Sequence, residues 1–253
     1  MASVELLNYR VEGVGPPLLL IHGFGVSFNI WRSLAPLLHG HFQLVMIELP
    51  GIGDSPSPGE GSYNAACLAA IESVRQKLEI PKWSVLAYSM GVSVAVAYAD
   101  AHPDSVAGVV FLCPPFLRGL RWWALRGLLW LDNRWSFIGD WVISGWRLYW
   151  LVALIGFNGR PNRLTREWVD EIATQPQSDL KSPLREIPHV SQLLKHVKAN
   201  QLFLCGNIDL VSLRPPGSGL HVAFFTGDHS GPVVVAQPIA AQIIRFLTEK
   251  SGG

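Results

Sequence analysis

Short apolar runs alternate along the chain with longer segments in which apolar residues recur every three or four positions. The runs at 18–21, 43–47, 83–87, 108–113, 201–205 and 221–225 each stop at a Gly, Pro or polar turn, which predicts strands. They are β-branched or leucine-rich and alternate with the helical segments, the layout of a parallel sheet covered by helices. Residues 4–11 read as an added antiparallel edge strand, turned by the Gly/Pro-rich stretch 13–17. Helical spacing covers 30–38, 63–78, 90–101 and 233–248 and supplies the crossovers. The expected fold is α/β, a mostly parallel central sheet flanked by helices. The rhythm lapses between about 114 and 188, where helical patterns follow one another without a strand. This predicts a core in two parts, 1–113 and 188–253, with a helical cap inserted at 114–187.

Composition sharpens that division. The 253 residues are 49% hydrophobic and 15% charged, which excludes a disordered chain, and a formal net charge of +1 argues against nucleic-acid binding. The balance is uneven: residues 114–166 carry eight arginines against Asp132 and Asp140. Eight of the ten tryptophans also fall in the insert. Three readings stay open for them: walls of an apolar pocket, with Trp122, Trp123, Trp146 and Trp150 as candidates; peripheral contact with a membrane; or a partner or dimer surface. The apolar run 148–157 is too short for the ~20 residues of a membrane span. Residues 1–10 lack the basic and apolar regions of a secretory signal, so the expected location is cytoplasmic, with peripheral membrane association as an addition. Cys67, Cys113 and Cys205 are odd in number and have no metal-like spacing; they read as small buried hydrophobes.

The chemistry concentrates at the ends of strands. Ala87-Tyr88-Ser89-Met90-Gly91 places a serine between a strand and a helix rich in small residues, a turn that lifts the hydroxyl above a sheet. His22-Gly23-Phe24-Gly25 follows the 18–21 strand, so the Phe24 and Met90 N–H groups are candidate donors to an oxyanion. A serine nucleophile needs a base, and the base an orienting acid. Asp209 follows one late strand and His229 the next, where open α/β sheets place their sites. Asp228 is expected at the surface, and His22 is expected to hold its loop by hydrogen bonds instead of acting as the base.

Together these motifs resemble the α/β-hydrolase family, its carboxylesterase- and lipase-like members with a helical cap, over nearly the whole chain. The resemblance rests on His22-Gly23, Pro50-Gly51-Ile52-Gly53-Asp54-Ser55, the serine elbow, Asp209 and the closing Gly227-Asp228-His229. It implies Ser89 as nucleophile, His229 as general base and then acid, Asp209 as orienting carboxylate, and Phe24 with Met90 as oxyanion donors. No cofactor or metal is implied. Three positions depart from the family pattern: Ala87 replaces the usual first glycine, Glu48 a common aspartate, and the helix after the acid shortens to 211–219. The expected activity is hydrolysis of a carboxylic ester of a hydrophobic small molecule or lipid through an acyl-enzyme. C–C bond, thioester or lactone hydrolysis by the same triad, or ligand binding with little turnover, are the alternatives. Serine in place of aspartate at the elbow argues against the family's dehalogenases and epoxide hydrolases.

Overall fold

The computed structural model describes residues 6–59, 61–115, 127, 130–132, 134–135, 137–176, 179–181, 194–212 and 220–249. Seven strands form one sheet: β1 Tyr9–Glu12, β2 Pro17–Ile21, β3 Gln43–Ile47, β4 Trp83–Tyr88, β5 Val106–Leu112, β6 Asn200–Gly206 and β7 His221–Phe225. Their order is β1-β3-β2-β4-β5-β6-β7, with β1 antiparallel to β3 and every other pair parallel. All six parallel strands, β2 to β7, match the apolar runs in the sequence to within two residues at either end. The edge strand is shorter than the 4–11 expected, beginning at Tyr9, and its outward residues are exposed.

Helices α1 Ala35–Leu38, α2 Tyr63–Lys77 and α3 Gly91–Ala101 lie between the early strands. In α2, Ser62 caps the first turn by accepting from the Ala65 N–H, and Tyr63, Cys67, Ala70, Ile71 and Val74 form the buried stripe. The expected helix at 30–38 is instead a 3₁₀ turn at Phe28–Trp31 followed by α1, because Pro36 has no N–H and belongs in a first turn. Between β5 and β6 come α4 Phe137–Val142, α5 Gly145–Phe157 and α6 Arg163–Ala173. The chain closes with α7 Gly231–Val234 and α8 Ala236–Glu249, a break at Val235 dividing the single helix expected there. The core is the sheet itself: Leu18 to Ile21, Val85 to Ala87 and Val109 to Leu112 are fully buried.

Strand order reverses at β2, since β3 lies on one side of it and β4 on the other. A crevice opens at such a reversal, beyond the carboxyl ends of the strands. Helix α6 is held over that end by polar contacts. Glu171 accepts from the Ser27 N–H at 2.9 Å, from the Ser27 hydroxyl and from the Asn29 amide at 3.1 Å, while Arg32 pairs with Glu167 at 2.7 Å. Further along, Gln175 accepts from the Gly53 N–H and Asp179 from the Ser57 hydroxyl.

Candidate active site

Strand β4 ends at Tyr88 and α3 begins at Gly91, so Ser89 and Met90 make the whole turn between them. The turn is sharp enough to force Ser89 to a φ of +51°, in the left-handed region that costs a side-chain-bearing residue free energy. The Ser89 N–H donates to the Leu112 carbonyl at 2.9 Å, tying the turn to β5. A Cβ on Gly91 would collide with the His22 carbonyl, and one on Gly23 would come within 3.0 Å of the Ser89 Cβ and the Tyr88 ring. Glycine at both positions lets the loop after β2 close against the elbow. Ala87 is fully buried, so the departure from glycine there is accommodated.

Strands β6 and β7 deliver the other two groups. Ser89 Oγ lies 2.7 Å from His229 Nε2, and His229 Nδ1 lies 2.8 Å from Asp209 Oδ2. Asp209 is fully buried, and its Oδ1 accepts from the N–H groups of Val211 and Ser212 at 2.8 and 3.3 Å. Burial resists its ionisation, but the charge and N–H of His229, the Val211 N–H and the Cys113 thiol outweigh that, holding its pKa below the ordinary value. An ionised Asp209 fixes the proton of His229 on Nδ1. Nε2 is then an acceptor facing the serine hydroxyl. Most of the shortened helix expected after Asp209, residues 213–219, lies outside the described residues; the Asp209 carboxylate itself is in reach of the histidine.

His22 is held in the opposite sense. Its Nε2 accepts from the Leu49 N–H at 2.8 Å, so its proton is on Nδ1, which donates to the Gly23 carbonyl at 2.8 Å. Burial pushes its pKa down to about 4, against the opposing pull of the Gly23 hydrogen bond. This matches the loop-holding role read from the sequence. Asp228 accepts from the N–H of Ser230 at 3.0 Å and stays outside the line of Ser89, His229 and Asp209.

Phe24, Met90, Ser89 and His229 all face one cavity of about 270 Å³. Among the described residues, neither the Phe24 nor the Met90 N–H is engaged by another protein group. The remaining walls are apolar: Val142 from α4, Leu148, Leu151 and Val152 from α5, and Trp168 and Ile172 from α6. No Asp, Glu, Lys or Arg lines it among the described residues.

The tryptophans expected as pocket walls are placed otherwise. Trp146 and Trp150 do not line the cavity; they are 69% and 54% exposed on the outer side of α5. Trp122 and Trp123 fall outside the described residues. Among the described residues, Trp168 is the tryptophan that lines it, packed on Phe157 with ring centroids 5.0 Å apart. Sequence reasoning also missed two supports. The Tyr88 hydroxyl donates to the His229 carbonyl at 2.7 Å, and the Cys113 thiol, its pKa raised by burial and then by the charge of Asp209, reaches that carboxylate. Cys113 adopts a φ of +50°, a bend no local pattern announces.

An open, mostly parallel sheet with a serine at a strained elbow, and histidine and carboxylate on later strand ends, is the arrangement of an α/β-hydrolase. The sequence profile described as alpha/beta hydrolase fold matches residues 16–141. The chain belongs to the α/β-hydrolase fold family. A pimeloyl-[acyl-carrier protein] methyl ester esterase of Methylococcus capsulatus is 28% identical over 207 residues, 74% of this chain and 78% of that one. A protein of the same description from Vibrio cholerae is 23% identical over 96% of this chain and 98% of its own length. Among solved structures, a hydrolase from Oleispira antarctica superposes with a TM-score of 0.77 at 18% identity, covering 96% of this chain and 95% of that one.

Proposed function

We propose that this carboxylic ester hydrolase cleaves esters carrying a neutral, apolar acyl chain, with Ser89, His229 and Asp209 as its catalytic triad and residues 114–187 as a cap over the acyl site. The observation that carries the reading is the continuous hydrogen-bonded line from Ser89 through His229 to Asp209, opening onto a cavity without charged walls. The esterases named among the relatives support an ester as the bond cleaved.

Each step follows from the protonation states that the hydrogen bonds impose. Ser89 Oγ attacks the ester carbonyl as its proton passes to His229 Nε2. The imidazolium is stabilised by Asp209, whose charge is already held in place by two backbone N–H groups. The oxyanion is received by the Phe24 and Met90 N–H groups, each worth about 10² to 10³ in rate. Collapse expels the alcohol, which takes its proton from Nε2, and leaves an acyl-enzyme. Water, deprotonated by the same nitrogen, then attacks the acyl carbon and releases the acid.

The test is turnover of a p-nitrophenyl ester series of increasing acyl length, with Ser89→Ala as control and labelling by a fluorophosphonate. The proposal expects labelling at Ser89, a burst of p-nitrophenol and a preference for chains longer than acetyl. A folded protein that is neither labelled nor active on any ester would refute it, and a rise in melting temperature with an apolar ligand would then mark a binding protein.

A further inference from the structure

The helices that roof the cavity are apolar on two sides. On α5, Leu148, Leu151, Val152 and Ile155 face the cavity, while Trp146, Trp150 and Leu154, spaced four apart, form an exposed stripe on the far side. On α4, Val142 faces inward, and Phe137 and Trp141, again four apart, face out. Trp130 and Trp135 lie on the segment leading into α4, and the outward aromatic rings are between 46% and 69% exposed. A helix apolar all round is ordinarily buried. Here α5 is buried on one side only, and α4 is only partly covered on its inner side.

Charge says what covers the other. The two acidic side chains of this segment, Asp132 and Asp140, are both engaged by Lys181, at 3.5 and 2.8 Å. Arg147 stacks over Trp141 and Trp146, at 4.3 and 5.5 Å from the ring centroids, and Arg134 over Trp135 at 5.5 Å. Neither arginine forms an ion pair among the described residues. Indole rings interleaved with guanidinium groups suit the boundary between lipid headgroups and acyl chains, where both the apolar and the polar part of each side chain are satisfied. A second copy of the chain would set one arginine-rich insert against another, since residues 114–166 hold eight arginines and two aspartates. A strongly acidic protein would answer the arginines but offer little to bury the tryptophan stripe.

We propose that the outer face of α4 and α5 docks on an anionic phospholipid surface, presenting the cavity to the membrane from which an apolar ester enters. Ile155 marks the way in, for it lines the cavity and is 40% exposed on the same helix as the stripe. Docking itself is independent of catalysis; only the delivery of an ester rests on the esterase reading.

The experiment is co-sedimentation of the full chain with phosphatidylcholine vesicles and with the same vesicles containing phosphatidylglycerol, at low and high salt, alongside tryptophan emission. Binding to the anionic vesicles, weakened by salt and accompanied by a blue shift, is expected. Arg134→Gln with Arg147→Gln should lower that partition by roughly 30-fold, about fivefold for each cation removed. Trp146→Ser with Trp150→Ser should lower it at least about tenfold and reduce the blue shift. Both double variants should hydrolyse a short water-soluble ester as the parent does, because none of the four side chains lines the cavity. No association of the parent with anionic vesicles at low salt overturns the proposal. So does unaltered vesicle binding by both double variants, a dimer dissolved by the tryptophan changes, or saturable binding to an acidic acyl carrier protein without binding to vesicles. A Ser89→Ala protein that still binds vesicles supports docking whether or not the parent cleaves esters.

Discussion

Replacing Asp209 with asparagine tests the proposed mechanism at its most buried point. The change keeps shape and removes one charge, and the surrounding hydrogen bonds dictate how the amide must turn. Oδ1 of Asp209 accepts from the Val211 and Ser212 N–H groups. An asparagine must keep its oxygen there, because turning the NH₂ toward two N–H groups would bury opposed donors. The NH₂ is then left facing His229 Nδ1, which must become an acceptor. The ring proton moves to Nε2, and the serine hydroxyl loses its base. Restoring the productive tautomer sets N–H against N–H, at about 1 to 3 kcal/mol, and forgoes a charge-assisted hydrogen bond to the imidazolium, about another 1.5 to 3. Their sum, roughly 3 to 6 kcal/mol, corresponds to a loss of about 10² to 10⁴ in kcat. Steady-state hydrolysis of p-nitrophenyl butyrate measures it, with KM expected to change little because Asp209 does not line the cavity. A folded Asp209→Asn protein retaining more than about a tenth of the parent kcat would refute the assignment.

Three further outcomes follow from neighbouring contacts. His22, whose folded-state pKa of about 4 lies below the ordinary 6.5, makes stability fall as pH drops from about 6.5 to about 4, since the unfolded chain takes up a proton the folded one refuses. The loss approaches about 3 kcal/mol and then levels off, so urea unfolding across this range should show a slope that His22→Gln flattens. Tyr88→Phe strands the buried His229 carbonyl, costing about 1 to 3 kcal/mol of stability and lowering kcat about tenfold with KM nearly unchanged, measured by thermal unfolding and ester kinetics. Trp168→Ala removes the indole packed on Phe157, so it should cost about 3 to 5 kcal/mol and shift acyl preference toward bulkier chains in the ester series.

Much of the fold was legible because parallel strands buried on both faces leave uninterrupted apolar runs. Leu18 to Ile21 is such a run, and it pairs on both sides. The elements that differed were those governed by single residues: Pro36 cutting the first helix, Val235 breaking the last, and an edge strand with only one neighbour to extend it. At the site, Ser89, Asp209 and His229 could be named as candidates because each follows a strand, and the family resemblance gave each its expected role. Cys113 and Tyr88 could not, because their contacts depend on strand register and on chain 141 residues away. Hydropathy also failed to orient α5. A helix apolar on every side has no phase to read, so Trp146 and Trp150 looked like pocket walls when they face outward.

The two buried histidines show why motif and mechanism must be read separately. Both follow strands and both sit beside the elbow, so a sequence offers His22 and His229 as rival bases. Their hydrogen bonds decide between them. Nε2 of His22 is already occupied by the Leu49 N–H, and its Nδ1 has only a neutral carbonyl to donate to. Protonating it would set two donors against each other at a fully buried position, consistent with a pKa driven down to about 4. His229 has the reverse arrangement: its Nδ1 faces the Asp209 carboxylate, and its Nε2 faces the Ser89 hydroxyl. In the proposed mechanism His22 stays neutral and holds the loop bearing Phe24, while His229 takes and returns the proton. Exchanging those roles would require moving the Leu49 amide and the Asp209 carboxylate together, which no single substitution does. A His22→Gln protein should therefore keep its pH–rate profile while losing acid-range stability dependence, and a shifted profile would place His22 within the proton transfer after all.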